Sequence, residues 1–195
     1  LVYLADYFGL PEVGKFWQEV LELNNWNQNR YSKLILEKLY GTLTGKVICI
    51  LGFAFKANTN DTRESPAIKI CNDLLEEEAV LRIHDPQVTK KQIKLDLGIP
   101  SKDECSNKPH LKELYKYKQW EKMPLDRQFF ANADAVVILT EWEQYSTINW
   151  SEASKMMRSP SWVFDSRSIA DSKEILKTKL NLWRVVDGSK YKKDI

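Results

Sequence analysis

Two positively charged side chains, Lys56 and Arg63, lie in a long polar segment just before a predicted helix start. This segment, residues 52–64, exceeds the usual strand-to-helix loop of about two to six residues, and long ordered loops at such places are usually functional. Cations and a helix N-terminus both favour phosphate, so the segment indicates a phosphorylated ligand held by side chains. It lacks G-x-G-x-x-G and the P-loop pattern, which argues against a pyrophosphate on a tight glycine turn. Solvated loop charges are the alternative.

A third cation, Arg167, follows a separate apolar run, residues 162–164. Ligands of α/β sheets bind beyond the carboxyl ends of the strands, so Arg167 is expected to point into the same crevice as the first segment. Two converging cations can neutralise a diphosphate, and arginine can bind one through two parallel hydrogen bonds. The alternative is an ion pair of Arg167 with Asp165 or Glu141.

The segment Thr140-Glu141-Trp142 follows the apolar run 134–139 and is expected to reach the same edge. Trp142 can stack on a nucleotide base, or it can pack in the core or at its rim. We favour packing.

The remaining reactive side chains give weaker signals. Cys49 and Cys71 fall within apolar patterns typical of a core, and Cys105 lies in a polar segment without a nearby base, so no nucleophile is predicted. His84 and His110, the only two histidines, lack partners at metal-ligand spacing, so no metal site is predicted. An odd number of widely spaced cysteines favours a reducing, cytoplasmic compartment.

The composition is that of a globular protein: 195 residues, 43% hydrophobic and 29% charged, with 7 Gly and 7 Pro. A formal net charge of +2 gives no electrostatic case for nucleic acid as the main partner. The chain has no apolar run of about eighteen residues, and its first ten residues lack a basic leader. The sequence therefore predicts neither a membrane span nor a signal peptide.

The elements that must position these residues are those of an α/β fold. Short apolar runs alternate with amphipathic segments, which predicts a Rossmann-like, doubly wound, mostly parallel sheet of about five to six strands after a long α-helical segment. The predicted strands are 46–51, 80–83, 134–139, 162–164 and 182–186, followed by a frayed tail through Lys193. The predicted helices begin at Ser65-Pro66 and cover 125–133, 150–157 and 171–180.

The first forty residues have helical spacing, with Pro11 at a first helical position. A cluster of asparagine and glutamine between residues 24 and 29 is either a break between two helices or a functional polar stretch on one helix. Because no strand precedes this segment, it is predicted to be an appendage whose apolar face a partner subunit or a neighbouring domain covers. The chain is expected to be a piece of a longer polypeptide.

Residues 87–123 contain nine lysines and are predicted to be an irregular, solvated insertion. The aromatic residues Tyr115, Tyr117 and Trp120 raise the idea of an RNA-binding surface. The alternative is a helix whose aromatic side docks on the domain. We favour that alternative, because no binding motif supports the other.

The segment Leu51–Ala67, LGFAFKANTNDTRESPA, resembles the signature of UDP-sugar dehydrogenases, specifically the UDP-glucose 6-dehydrogenase branch. Residues 140–142 resemble the T-E-W element of that family, and residues 164–167 resemble its F-D-x-R element. The family's central helix is matched by Leu10-Pro-Glu-Val13, Trp17, Asn24, Asn25 and Arg30-Tyr31. The likeness spans nearly the whole chain except about residues 99–123.

The resemblance implies a modular enzyme with an N-terminal NAD-binding domain, a linking helix that forms much of the dimer contact, and a C-terminal UDP-binding domain. Residues 1–44 match the linking helix. Residues 45–195 match the UDP-binding domain, with an insertion at about 99–123. The N-terminal domain and the G-G-S-C-F-x-K-D segment with the catalytic cysteine have no match here, so no catalytic residue is assigned and this chain alone is expected to be inactive.

The resemblance also implies the chemistry of the parent enzyme. UDP-glucose becomes UDP-glucuronate, a precursor for polysaccharide biosynthesis, with two NAD reduced through a cysteine thiohemiacetal and thioester. Carried over by position, Phe55 and Lys56 contact the nucleotide sugar, Arg167 binds its diphosphate, and Arg63 reaches the NAD side of the cleft. Glu141 and Trp142 fall near the cleft without an assigned role.

The expected partners are UDP-glucose or UDP and a second copy of the chain bound through residues 10–40. Neither nucleic acid nor a membrane is expected. A non-catalytic module for nucleotide binding or dimerisation is the alternative function, and an RNA-binding domain is a third hypothesis that rests only on the lysine-rich segment.

Overall fold

The structure is a computed structural model that describes residues 1–116 and 118–185. The strands of this part, in chain order, are β1 (Val47–Leu51), β2 (Val80–His84), β3 (Gln119–Lys122), β4 (Ala135–Ile138), β5 (Trp162–Asp165) and β6 (Asn181–Arg184). They form one parallel sheet with the order β3-β2-β1-β4-β5-β6. The predicted fold class and the positions of five predicted strands are confirmed. The expectations for Tyr117, Val186 and the tail lie outside the described residues.

The helices of the described part are α1 (Val2–Tyr7), α2 (Pro11–Lys38), α3 (Pro66–Glu76), α4 (Lys90–Leu97), α5 (Lys102–Ser106), α6 (Pro109–Leu114), α7 (Arg127–Phe130), α8 (Trp150–Met156) and α9 (Ser172–Ile175). A 3-10 helix covers Glu143–Thr147. Helix α3 begins as predicted at Ser65-Pro66, whereas α7 and α9 are shorter than the predicted helices 125–133 and 171–180. Asp126 and Asp171 cap these two short helices and set where they begin.

The central strands β1 and β4 have continuous apolar sequences because both of their faces are covered. Residues 48–51 and 135–138 are fully buried. Buried parallel strands carry no alternation of polar and apolar residues, and this feature made both strands recognisable in the sequence.

The edge strand β3 corrects the prediction of an irregular insertion at 87–123. That segment contains α4, α5, α6 and β3, so it is ordered secondary structure throughout most of its length. Trp120 is fully buried on β3 and donates from Nε1 to Ile99 O at 3.0 Å. The favoured alternative, an aromatic side docked on the domain, is therefore right that Trp120 is buried. It is wrong that Trp120 lies on a helix, because this residue belongs to a strand. The division at residues 44 and 45 and the insertion at 99–123 stay predictions.

Helix α2 runs without a break through the cluster of asparagine and glutamine. Its C-terminal part joins the core: Tyr31, Ile35 and the following Leu39 are buried, and the Tyr31 ring lies 5.3 Å from the ring of Trp183 on β6. The N-terminal part leaves several large apolar side chains exposed. One helix therefore packs one half into the core and leaves apolar side chains exposed on the other half.

Candidate functional site

Three loops lie side by side at the carboxyl edge of the sheet. Leu51 at the end of β1 is in register with Ile138 on β4, and Ile138 is in register with Asp165 on β5. Thr140 donates from Oγ1 to Ala54 O at 2.6 Å, which joins the loop after β1 to the loop after β4. The predicted candidate segments thus share one edge of the sheet, which is where α/β proteins bind ligands.

Gly52 allows the first loop to cross the end of β4 at close range. Its φ is +92°, and a Cβ built on it would lie 2.4 Å from Thr140 Cβ. Any other residue would strain the backbone and collide with Thr140. Glycine is therefore the residue that this crossing requires.

Asp85, directly after β2, organises the same edge. Its Oδ2 accepts hydrogen bonds from Phe53 N at 2.8 Å, Ala54 N at 3.0 Å and Trp142 Nε1 at 3.2 Å. Its Oδ1 accepts from the backbone of the next turn, and the side chain is buried. This role of Asp85 was not predicted from the sequence, although an aspartate two residues after the predicted strand 80–83 was a usable signal.

Phe55 and Lys56 lie at the exposed side of the first loop. Phe55 is 48% exposed, and its backbone N donates to Asp61 O at 2.9 Å. Lys56 is exposed, and within the described ranges it forms no ion pair. Both side chains are accessible to a ligand, and Lys56 is available to an anion.

Arg63 is engaged by Asp61. Its Nε donates at 2.9 Å and its Nη2 at 2.7 Å to the two carboxylate oxygens, and these bonds hold the pKa of Asp61 at about 2. The Arg63 side chain is nevertheless 87% exposed. Arg63 and Asp61 thus form an exposed ion pair, and the assignment of Arg63 to the NAD side of a cleft stays a prediction.

Arg167 has its Nε edge fixed by the protein. Nε donates to Leu139 O at 2.7 Å and lies 3.3 Å from Glu141 Oε2, so the ion pair with Glu141 is present. Asp165 does not pair with the guanidinium; its buried carboxylate accepts from the backbone N of Arg167 and of Ala170. The terminal nitrogens Nη1 and Nη2 form no hydrogen bond within the part of the chain that the structure describes. That Arg167 and Lys56 meet on one ligand stays a prediction.

Trp142 packs in the core, as favoured from the sequence. It is 6% exposed and its indole Nε1 is bound to Asp85, so it is not available to stack on a base.

The three cysteines are buried and poorly suited to nucleophilic chemistry. Burial raises the pKa of Cys49 to about 12, and its Sγ lies 2.9 Å from Phe129 O. Burial also raises the pKa of Cys71 and of Cys105. Cys105 lies in α5 and is 7% exposed, which corrects its predicted place in a polar loop. A raised pKa disfavours the thiolate that nucleophilic attack requires.

In the part of the chain that the structure describes, no helix is both long and apolar enough to cross a membrane. Among the same residues, no group of three His, Cys, Asp or Glu side chains is arranged to hold a metal ion.

The strand order and the loop edge define a Rossmann-like α/β domain, a fold that binds ligands at this edge. Residues 49–172 match the sequence profile of the UDP-glucose/GDP-mannose dehydrogenase family, UDP binding domain. The chain belongs to this family, as its motifs predicted.

Curated relatives of this chain are named UDP-glucose 6-dehydrogenases. UDP-glucose 6-dehydrogenase 4 of Oryza sativa subsp. japonica is 37% identical over 177 residues, which cover 90% of this chain and 37% of the relative. UDP-glucose 6-dehydrogenase of Drosophila melanogaster is 37% identical over 194 residues, which cover 99% of this chain and 39% of the relative. The chain thus spans well under half the length of these relatives.

Solved structures show the same fold. A UDP-glucose dehydrogenase from the archaeon Pyrobaculum islandicum superposes with a TM-score of 0.63 at 24% identity, covering 95% of this chain and 34% of that one. An NDP-N-acetyl-D-galactosaminuronic acid dehydrogenase from Methanosarcina mazei Go1 superposes with a TM-score of 0.61 at 19% identity, covering 95% and 32%. At these identities the similarity concerns the fold alone.

Proposed function

We propose that this chain binds the UDP portion of a UDP-sugar and serves as the C-terminal, UDP-binding part of a UDP-glucose 6-dehydrogenase. The observation that carries the proposal is the shared sheet edge, where Lys56 is accessible and Arg167 presents its two terminal nitrogens. Membership of the family and the identity to UDP-glucose 6-dehydrogenases support the same ligand class.

Each proposed contact has a physical reason. Leu139 O and Glu141 occupy the Nε edge of Arg167, so Nη1 and Nη2 are the nitrogens that would bind two phosphate oxygens in parallel. Lys56 adds a second positive charge from the loop after β1, which the loop after β4 separates from the loop of Arg167. Phe55 supplies an exposed aromatic face next to Lys56 for the nucleotide sugar.

The dehydrogenase chemistry needs groups beyond the UDP site. NAD accepts the hydrides when bound. This chain offers NAD one peripheral group, Arg63. Two nitrogens of its guanidinium are engaged by Asp61, and the rest of the side chain is exposed. The buried cysteines do not fit the thiohemiacetal and thioester steps. In this proposal the catalytic cysteine and most of the NAD site lie outside residues 1–195. The 195-residue chain by itself therefore binds UDP and turns nothing over.

Isothermal titration calorimetry of the chain with UDP and UDP-glucose tests the proposal. We expect saturable heat with both ligands and a much smaller response to uridine, which lacks the diphosphate. No heat with UDP, under conditions where an intact relative binds it, contradicts the proposal.

A non-catalytic dimerisation module is the second candidate. The exposed apolar side chains of α1 and α2 favour it, among them Tyr3, Phe16 and Trp26. It predicts that UDP leaves the melting temperature unchanged, whereas a UDP-binding domain is stabilised by its ligand.

A further inference from the structure

The end of strand β2 connects the loop that carries Lys56 with the loop after β4, whose Glu141 pairs with Arg167. The carboxylate of Asp85 binds the backbone of Phe53 and Ala54, two residues before Lys56. The same oxygen binds the indole of Trp142, which directly follows the partner of Arg167, Glu141. One buried side chain therefore links the loop of Lys56 to the residue next to the ion-pair partner of Arg167.

We propose that Asp85 is a positioning residue of the UDP site: it acts on the ligand through the loop that carries Lys56 and through Trp142. This inference rests on the proposed function and assigns an additional residue to that site. Asp85 does not contact the ligand. It fixes the two loops against each other before the ligand arrives, so that binding costs less ordering of the site.

Aspartate is suited to this task because each group that hydrogen-bonds its carboxylate in the described part of the chain is an N–H donor. The two oxygens accept from five N–H groups, namely those of Phe53, Ala54, Gln87, Val88 and the Trp142 indole. Asparagine has one carbonyl oxygen, so its NH₂ group must face two or three of these donors. Asp85→Asn keeps the volume of the side chain and removes about half of its acceptor capacity.

A matched control lies at the opposite edge of the sheet. The carboxylate of Asp134, just before β4, accepts from Val47 N at 2.7 Å and pairs with Arg158. It therefore has a comparable structural role at the amino ends of the strands, away from the three loops. Asp134→Asn is expected to lower the stability and to leave UDP affinity unchanged.

The test is calorimetric titration of UDP into the parent, Asp85→Asn and Asp134→Asn chains, at a temperature well below all their melting temperatures. We expect Asp85→Asn to weaken UDP binding about tenfold or more, the size of one or two charge-assisted hydrogen bonds. A second titration in the Lys56→Ala background separates positioning from general instability. If Asp85 acts through the loop of Lys56, its substitution costs less affinity once Lys56 is gone.

The outcomes are distinct. Parent-like affinity of Asp85→Asn overturns the inference, and so does a loss that simply adds to that of Lys56→Ala or that Asp134→Asn reproduces. If Asp85→Asn does not fold, Trp142→Phe replaces it, because that variant removes one of the donors and keeps the aromatic ring; unchanged UDP affinity of Trp142→Phe then overturns the inference. A parent chain that binds no UDP contradicts the proposed function itself, and this inference falls with it.

Discussion

Leu139 O and Glu141 hold the Nε edge of the Arg167 guanidinium, and the proposed diphosphate binds the other edge, Nη1 and Nη2. In the proposed site, removing either Arg167 or Lys56 removes charge-assisted hydrogen bonds to the ligand. We expect Arg167→Ala and Lys56→Ala each to weaken UDP binding by about 1.5–3 kcal/mol for each such bond lost. Calorimetric titration of UDP measures both effects.

The control for these variants is Arg158→Ala. Arg158 pairs with Asp134 at the amino ends of the strands, so its loss is expected to leave UDP affinity unchanged. Arg167→Lys is the finer probe, since lysine keeps the charge without the fork and is expected to bind more weakly than the parent. Unchanged affinity in both alanine variants contradicts the site assignment.

His84 provides a pH-dependent contribution to stability. The ring is largely buried, with Nδ1 2.9 Å from the Tyr145 hydroxyl oxygen. Burial lowers the pKa of His84 from its ordinary value of 6.5, and this effect outweighs the opposing charge of Asp85. Below pH 6.5 the unfolded chain takes up a proton at His84 that the folded chain resists, so the free energy of unfolding decreases as the pH falls.

Urea unfolding at several values between about pH 7.5 and about pH 5 measures this dependence. We expect His84→Gln to flatten it. His110→Gln is the control, because His110 is exposed, and it is expected to keep the slope of the parent. A His84→Gln profile as steep as that of the parent refutes the assignment.

The residues of the site were predictable to different degrees. Arg167 and Glu141 both follow apolar strands, so their positions already placed them at one edge and made their ion pair a stated alternative. Asp85 was recognisable only as the residue that ends β2. Its role depends on the path of the loop after β1, which folds back so that two backbone N–H groups reach the carboxylate, and no local sequence pattern records that path.

At the scale of elements, Gly52 decides how closely the first loop passes the end of β4. We expect Gly52→Ala to lower the free energy of unfolding by about 2–4 kcal/mol, from the cost of positive φ and from the collision with Thr140. Gly45→Ala is the control, since Gly45 has φ +70° and nothing within 4 Å of its added Cβ. It carries the backbone cost alone, about 1–2 kcal/mol. Urea unfolding compares the two, and an equal cost contradicts the close-approach argument.

Strand β3 shows why an element escaped prediction. Among the described residues, strand β2 is its one neighbour in the sheet, and Trp120 is the one fully buried side chain of β3. Such an edge strand needs no apolar run, so its sequence of Gln, Trp, Glu and Lys resembled a solvated loop. Helix α2 is the converse case: its asparagines have low helix propensity, yet the helix continues through them.

At the scale of the whole molecule, the pattern of apolar runs was enough to predict the class of the sheet, because buried parallel strands and connecting helices each leave a periodic signature. The surface of α2 required the structure. Val13, Phe16 and Leu23 are three and seven residues apart, so they lie on one face of the helix, and all three are exposed. This apolar face is what we expect a second copy of the chain to cover.

That expectation gives a direct test of self-association. The double variant Phe16→Glu and Leu23→Glu places two like charges on the apolar face, so burying the face against a second copy becomes unfavourable. We expect light scattering to give the mass of a dimer for the parent chain and of a monomer for the double variant, at equal concentration and with the same melting behaviour of the α/β domain. Leu95→Glu is the control, because Leu95 is an exposed leucine on α4, and it is expected to stay dimeric. A parent chain that is monomeric at high concentration, or a double variant that stays dimeric, contradicts dimerisation through residues 10–40.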